Sequence, residues 1–287
     1  MSEWRVLDLF SGIGGFSLGL ERAGMRTVAF CEIEEYPRAV LKKHWPNISC
    51  YEDVRTLTAE RLRTDGIIPN IICGGFLCQG VSEAGLRQGL QDPRSGLWQE
   101  YARIIGEVRP LYVIVENVSE LLRDGYGMGE ILADLAKIGF DAEWDCISVG
   151  ELGAPHGRDR VWIAIADPHQ FQRSKRVCSG TGWWKWRPEE IETTRNANGQ
   201  WKLEPARLLG NVRRWVDDAA NSGTWWRDQW QEKFEALRRM DDGSPTRLDR
   251  SVISASLKCL GNALAPQIPE IWGRAIIAHH EAMRNAT

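Results

Sequence analysis

The first 167 residues predict an α/β fold: a mostly parallel sheet covered by helices on both faces. Short apolar runs alternate with stretches of helical apolar spacing, and the runs are apolar enough to be buried strands. A glycine-rich turn joins the first run to the first helix. Strands that alternate with helices in this way imply right-handed crossovers between parallel neighbours.

The elements follow in order. "RVLDLF" (5–10) reads as a strand, "SGIGG" as a turn, and "FSLGLERAG" (16–24) as a helix ending in glycine. "TVAFCE" (27–32) is a second strand, followed by a helix over "EYPRAVLKKHW" (35–45). "IPNIICG" (68–74) and "YVIVEN" (112–117) are two further buried strands, with a helix around "SGLWQEYARIIGEV" between them. "GEILADLAKIGF" (129–140) reads as a helix and "DRVWIAIA" (159–166) as a strand. Near the end, "NALAPQIPEIWGRAIIAHHEAM" predicts a helix that packs back on the sheet.

At 287 residues the chain has enough length for a sizeable core. Its hydrophobic share of 43% and charged share of 26% are those of a soluble globular protein. No run approaches the roughly 20 apolar residues of a membrane span. "MSEWRVLDLF" lacks the order of a signal peptide. Seven cysteines without a C-x-x-C pair argue against a disulfide framework and a cysteine-rich zinc site. Reduced thiols and a cytoplasmic location are expected. The net charge of −3 conceals a division. Residues 168–256 hold 16 Lys and Arg against 12 Asp and Glu, and eight of the fourteen tryptophans. The predicted organisation is a main domain over 1–167, a second domain over 168–256, and a segment over 257–287 that returns to the first.

"DLFSGIGG" (8–15) lets a ligand approach the backbone and exposes helix amides. It has neither the dinucleotide G-x-G-x-x-G spacing nor the Lys-Ser/Thr of a phosphate loop. Glu32, at the end of the second strand, is placed to accept from a ribose diol. Asp53, near the third strand, is placed to receive an adenine amino group. Each acid alone is more often a solvated loop residue; three motifs in order favour a nucleoside-containing cofactor. In "GGFLCQGVS" (74–82), Gly74 and Gly75 are expected to break the strand and set Cys78 on the loop beyond it. "VIVENV" (113–118) puts Glu116 at a strand end, where burial requires a hydrogen-bonding or protonated partner. Asn117 beside it reads most simply as a helix N-cap. In "GAPHGRDRVWIAI", Arg158 and Arg160 fall on the same side of an extended segment. They suit a phosphate or base edge, with surface salt bridges as the alternative.

Together "DLFSGIGG", "GGFLCQ", "VENV", "GRDR" and "LGNALAPQ" (260–267) resemble, in order and spacing, the DNA cytosine-5 methyltransferases of compact bacterial or phage type. The resemblance covers nearly everything except the middle stretch. It implies a Rossmann-like S-adenosylmethionine-dependent methyltransferase fold with a small irregular target-recognition domain. The cofactor would be S-adenosyl-L-methionine, leaving as S-adenosyl-L-homocysteine. The resemblance implies that Phe10 stacks on the adenine, Gly12 and Gly14 flank the methionine moiety, and Glu32 holds the ribose. Ile33 would pack on the other adenine face, Asp53 and Val54 read the adenine edge, and Asn262 supports the site. Cys78 would be the nucleophile and Glu116 the contact to the flipped cytosine. Arg158 and Arg160 would hold the base and its nucleotide, and Gln79, Ser82 and Arg94 would lie on the catalytic loop.

One departure stands out: this chain has Leu77 where the family almost always has proline. Proline would restrict its own backbone and that of the residue before it. The expected partners are double-stranded DNA and a cognate restriction endonuclease, and the expected state is a monomer away from membranes. Rival readings are a tRNA cytosine-5 methyltransferase, an enzyme transferring another group, and a catalytically silent DNA-binding relative.

Overall fold

The computed structural model describes residues 3–76, 96–123, 127–152, 157–168 and 264–285. Seven strands form one sheet: β1 (Arg5–Leu9), β2 (Arg26–Cys31), β3 (Ser49–Tyr51), β4 (Ile71–Gly75), β5 (Tyr112–Val118), β6 (Asp141–Ser148) and β7 (Asp159–Ala166). Their spatial order is β3-β2-β1-β4-β5-β7-β6. The first five in that order run parallel, and β7 runs antiparallel to both β5 and β6. The helices are α1 (Gly15–Arg22), α2 (Glu35–His44), α3 (Ala59–Thr64), α4 (Gly96–Val108), α5 (Met128–Lys137) and α6 (Gln267–Asn285).

Two apolar layers cover the sheet. On one face Leu7, Leu9, Ile72, Val113 and Val115 pack against Trp98, Tyr101, Ile104 and Ile105 of α4 and Ile131 and Leu135 of α5. On the other, Val6, Ile71, Ile114 and Trp162 pack with Phe16 and Leu20 of α1 and Ile268, Trp272 and Ile276 of α6. Each fully buried side chain of this size contributes about 1.5–3 kcal/mol of apolar transfer. The last helix packs on this second face. It does so through α1: a Cβ on Gly19 would lie 2.1 Å from Pro266 O, and one on Gly273 would lie 2.7 Å from Ala23 Cβ. These glycines let the two helices approach closely.

Three observed elements are absent from the predicted order. β3 and α3 are too short to leave a periodic signal, and β6 is an edge strand with mostly half-buried side chains. Gly74 and Gly75 do not break β4; both sit in its ladder, opposite Val115 and Glu116. A Cβ on Gly74 would lie 2.1 Å from Leu9 O, so glycine serves close strand contact here. The expected boundary at residue 167 falls just past β7, but the target-recognition segment beyond Pro168 lies outside the described residues.

Strand order fixes where a site can form. The chain runs outward from β1 to β3, then crosses back to β4, so the order reverses between β1 and β4. Open α/β sheets bind ligands beyond the carboxyl ends of the strands at such a point. Leu9 pairs with Gly74, and Gly75 pairs with Glu116, so the ends of β1, β4 and β5 lie side by side.

Candidate active site

The turn after β1 is held in an unusual conformation. Phe10 has φ 53°, a region that side-chain-bearing residues rarely occupy, and Gly12 and Gly14 have φ 53° and 87°. Gly14 has a second constraint, because a Cβ there would meet the Trp45 ring at 2.6 Å. Above Gly12, by contrast, nothing lies within 4 Å of where a Cβ would stand. The Phe10 ring leans edge-on toward Tyr101, with centroids 5.8 Å apart.

Beyond β2, Glu32 is buried and its carboxylate is clamped by main chain. Gly12 N–H donates to Oε2 at 2.7 Å, and Glu34 N–H donates to Oε1 at 2.8 Å. Ile33 is the opposite case, a large apolar side chain left 59% exposed. Arg38 donates to its carbonyl at 2.6 Å. Asp53 caps a short 3-10 turn, accepting Arg55 N–H at 2.9 Å, and pairs with the Arg55 guanidinium. That hydrogen bond from the Arg55 side chain is the main reason its carboxyl lies below the ordinary range. Val54 is buried in the core beside it.

Across the crevice, Glu116 and Arg160 meet on neighbouring strands, with Arg160 Nε 3.0 Å from Oε1. Gly75 makes room for the carboxylate, since a Cβ there would lie 2.8 Å from Glu116 Oε2. Burial raises the Glu116 carboxyl above its ordinary value, against the opposing charges of Arg160 and Arg158. Burial lowers Arg158, the Arg160 charge lowers it further, and Glu116 acts the other way. The two arginines and the acid form one electrostatic group, so paired surface salt bridges do not describe them.

Asn117 does not cap a helix. The short 3-10 segment that follows β5 is preceded by Val118 and has no side-chain cap. Asn117 is buried; its Nδ2 donates to Phe76 O at 3.1 Å and its Oδ1 accepts Val118 N–H at 2.8 Å. Sequence reading also passed over Asp8, which is fully buried and takes Ser17 Oγ and N–H on Oδ2 at 2.7 and 3.3 Å. A carboxylate inside the apolar run "VLDLF" was the available signal.

Cys78, Gln79, Ser82, Arg94 and Asn262 lie outside the described residues. Leu264, two residues past Asn262, comes within 3.1 Å of a Cβ placed on Gly15, at the start of α1. Burial pushes the Cys31 thiol up to about 12 and raises Cys50 and Cys73 as well. These three are poor thiolate nucleophiles.

Type II methyltransferase M2.BsuMI of Bacillus subtilis is 32% identical over 165 residues, covering 55% of this chain and 40% of that protein. Type II methyltransferase M.CviJI of Paramecium bursaria Chlorella virus IL3A is 33% identical over 178 residues, covering 62% of this chain and 47% of that one. The chain thus spans less than half the length of these relatives. Among solved structures, one described as a prophage-encoded DNA modification methyltransferase of E. coli aligns with TM-score 0.52 and 26% identity, covering 58% of this chain and 48% of that one. A methyltransferase of Entamoeba histolytica has the same fold, with TM-score 0.50 and 19% identity, covering 58% of this chain and 53% of that one. Residues 4–240 match the model of the C-5 cytosine-specific DNA methylases, and the chain belongs to that family.

Proposed function

We propose that this protein is a DNA cytosine-5 methyltransferase using S-adenosyl-L-methionine, with Cys78 as nucleophile. The observation that carries the reading is the ladder position of Gly75 opposite Glu116. That pairing puts the end of β4, three residues before Cys78 in sequence, beside a buried acid and its arginine neighbours, one strand from the Phe10–Gly12 turn.

The residues fit the cofactor. Glu32, already oriented by two amides, suits a ribose diol. Phe10 and the exposed Ile33 offer apolar surface for an adenine, with Asp53 and Val54 at its edge. Open space above Gly12 leaves room for the methionine portion, with Gly14 in the same turn. When bound, the cofactor supplies an electrophilic methyl group on a sulfonium.

Carbon 5 of cytosine is a poor nucleophile, so the Cys78 thiolate first forms a bond to carbon 6. A thiol titrating near about 8.5 needs cationic or helix-end help to ionise. Glu116, held toward its protonated form by burial, donates to the ring nitrogen and draws charge off carbon 6. Arg160 and Arg158 keep that carboxyl in place and meet the base and its nucleotide. The addition makes carbon 5 nucleophilic toward the methyl group the cofactor would supply, and loss of the carbon-5 proton to solvent then expels the cysteine. A base inside a duplex is out of reach, so it is flipped out at a cost of a few kcal/mol.

Residues 168–256 would read the target, with Lys and Arg on phosphates, and Gln79, Ser82 and Arg94 on the catalytic loop would approach the DNA. A cognate restriction endonuclease, a monomeric state and a cytoplasmic location complete the proposal. Among the described residues no helix is long and apolar enough to cross a membrane.

Incubation with mixed-sequence duplex DNA and labelled S-adenosylmethionine tests the reading, with mass analysis of the nucleosides. The expected product is 5-methylcytosine, absent from the Cys78→Ser variant. Transfer that survives in that variant, or a different added mass, overturns it.

A further inference from the structure

The buried amide of Asn117 reaches across from β5 to the end of β4 and holds the carbonyl of Phe76 at 3.1 Å. Its orientation is fixed by both contacts: Oδ1 accepts a main-chain N–H while Nδ2 donates to a main-chain oxygen. Exchanging the two atoms would set donor against donor and acceptor against acceptor. The Phe76 ring is also anchored, packed against Trp98 and Tyr101 with centroids 5.5 and 6.3 Å away. Phe76 is thus gripped by side chain and carbonyl alike, two positions before Cys78.

That grip matters because the next residue is Leu77. A proline there would have confined Phe76 to extended backbone by steric clash alone. With leucine, the covalent chain imposes no such limit on Phe76. We infer that Asn117 is a positioning residue for the nucleophile, supplying through the Phe76 carbonyl the backbone restraint that residue 77 does not. This inference rests on the methyltransferase reading above. Asn117 touches no reacting atom; it acts through the backbone that leads to Cys78.

The test compares Asn117→Leu in the natural chain and in a Leu77→Pro background. Asn117→Leu removes both amide contacts, and loss of the one to Phe76 lowers kcat about tenfold in the natural chain. Trapping on duplex DNA carrying 5-fluorocytosine slows by the same factor, and S-adenosylmethionine affinity stays unchanged. In the Leu77→Pro background the loss shrinks below about threefold, because the two restraints are coupled. Asn117→Asp, which keeps the acceptor for Val118 N–H and removes the amide donor, gives the same pattern if the leucine variant does not fold. Equal losses in both backgrounds, an unchanged kcat, or cofactor affinity falling in step with kcat would each overturn the inference. A natural chain that binds cofactor yet transfers nothing to DNA overturns instead the reading beneath it.

Discussion

The two walls of the crevice are built from different materials. On the β1–β2 side, the buried acid is satisfied by the chain's own amides: Gly12 and Glu34 N–H both donate to Glu32. On the β4–β5–β7 side, charge meets charge, with Arg160 against Glu116 and Arg158 near both. Main-chain donors are fixed by the fold and cost no reorganisation when a ligand arrives. A buried ion pair is costly to desolvate, and its carboxyl is pushed toward the neutral form. The first wall is suited to holding a ligand unchanged; the second is suited to shifting a proton.

On that division, the largest effect belongs to Glu116. Glu116→Gln should lower kcat by about 10²–10⁴-fold, the usual worth of a placed general acid, with little change in cofactor affinity. The pH profile supplies the sharper reading. A raised carboxyl pKa means the donor is protonated at low pH and is lost as pH rises through that value. The natural chain should therefore carry a descending limb attributable to Glu116, and the glutamine variant should lack it. Gly75→Ala comes next. The added methyl would lie 2.8 Å from Oε2, so the carboxylate must move. A displacement of that order should cost on the order of 10–100-fold in kcat, with the midpoint of thermal unfolding nearly unchanged.

The other wall should answer differently. Glu32→Gln keeps one acceptor oxygen and turns an amide donor toward either Gly12 or Glu34 N–H. Loss of a charge-assisted hydrogen bond should weaken cofactor binding by about tenfold or somewhat more, read by titration calorimetry. At saturating cofactor, kcat should move far less than in Glu116→Gln. Equal damage to kcat from both variants would break the comparison.

The wall with main-chain donors was the more legible from sequence. Phe10, Glu32 and Asp53 sit in short motifs at strand ends, where a strand–turn–helix pattern almost dictates geometry. The charged wall combines Gly75, Glu116 and Arg160 from three strands, and only the ladder brings them together. Periodicity says that Glu116 and Asn117 face opposite ways, but not what each meets. A helix cap is the local role that sequence suggests for Asn117, whereas its partner lies 41 residues away. The fold was legible wherever strands are fully apolar, as in β4 and β5. It was not legible in β3 and β6, whose edge positions leave side chains half in water and blur the pattern.

The smallest expected effect tests whether the amide-built wall is free of proton chemistry throughout. Beneath its turn, Asp8 is the exception. Burial raises its carboxyl from the ordinary 3.8 to about 7, although Ser17 donates to it through both N–H and Oγ. The sign follows from linkage. Between roughly pH 4 and 7 the folded chain holds a proton on Asp8 that the unfolded chain has released. Its contribution to stability is therefore fullest at low pH, declines as pH rises through that window, and levels off above about 7. Asp8→Asn is neutral at every pH, and its amide oxygen still accepts from Ser17. Its unfolding midpoint relative to the natural chain should climb from pH 4 to 7 and then stay level. The difference between the two chains isolates Asp8 from every other titrating group. A difference that is flat across the window would mean that Asp8 is ionised in the folded chain, and that this wall carries no proton switch.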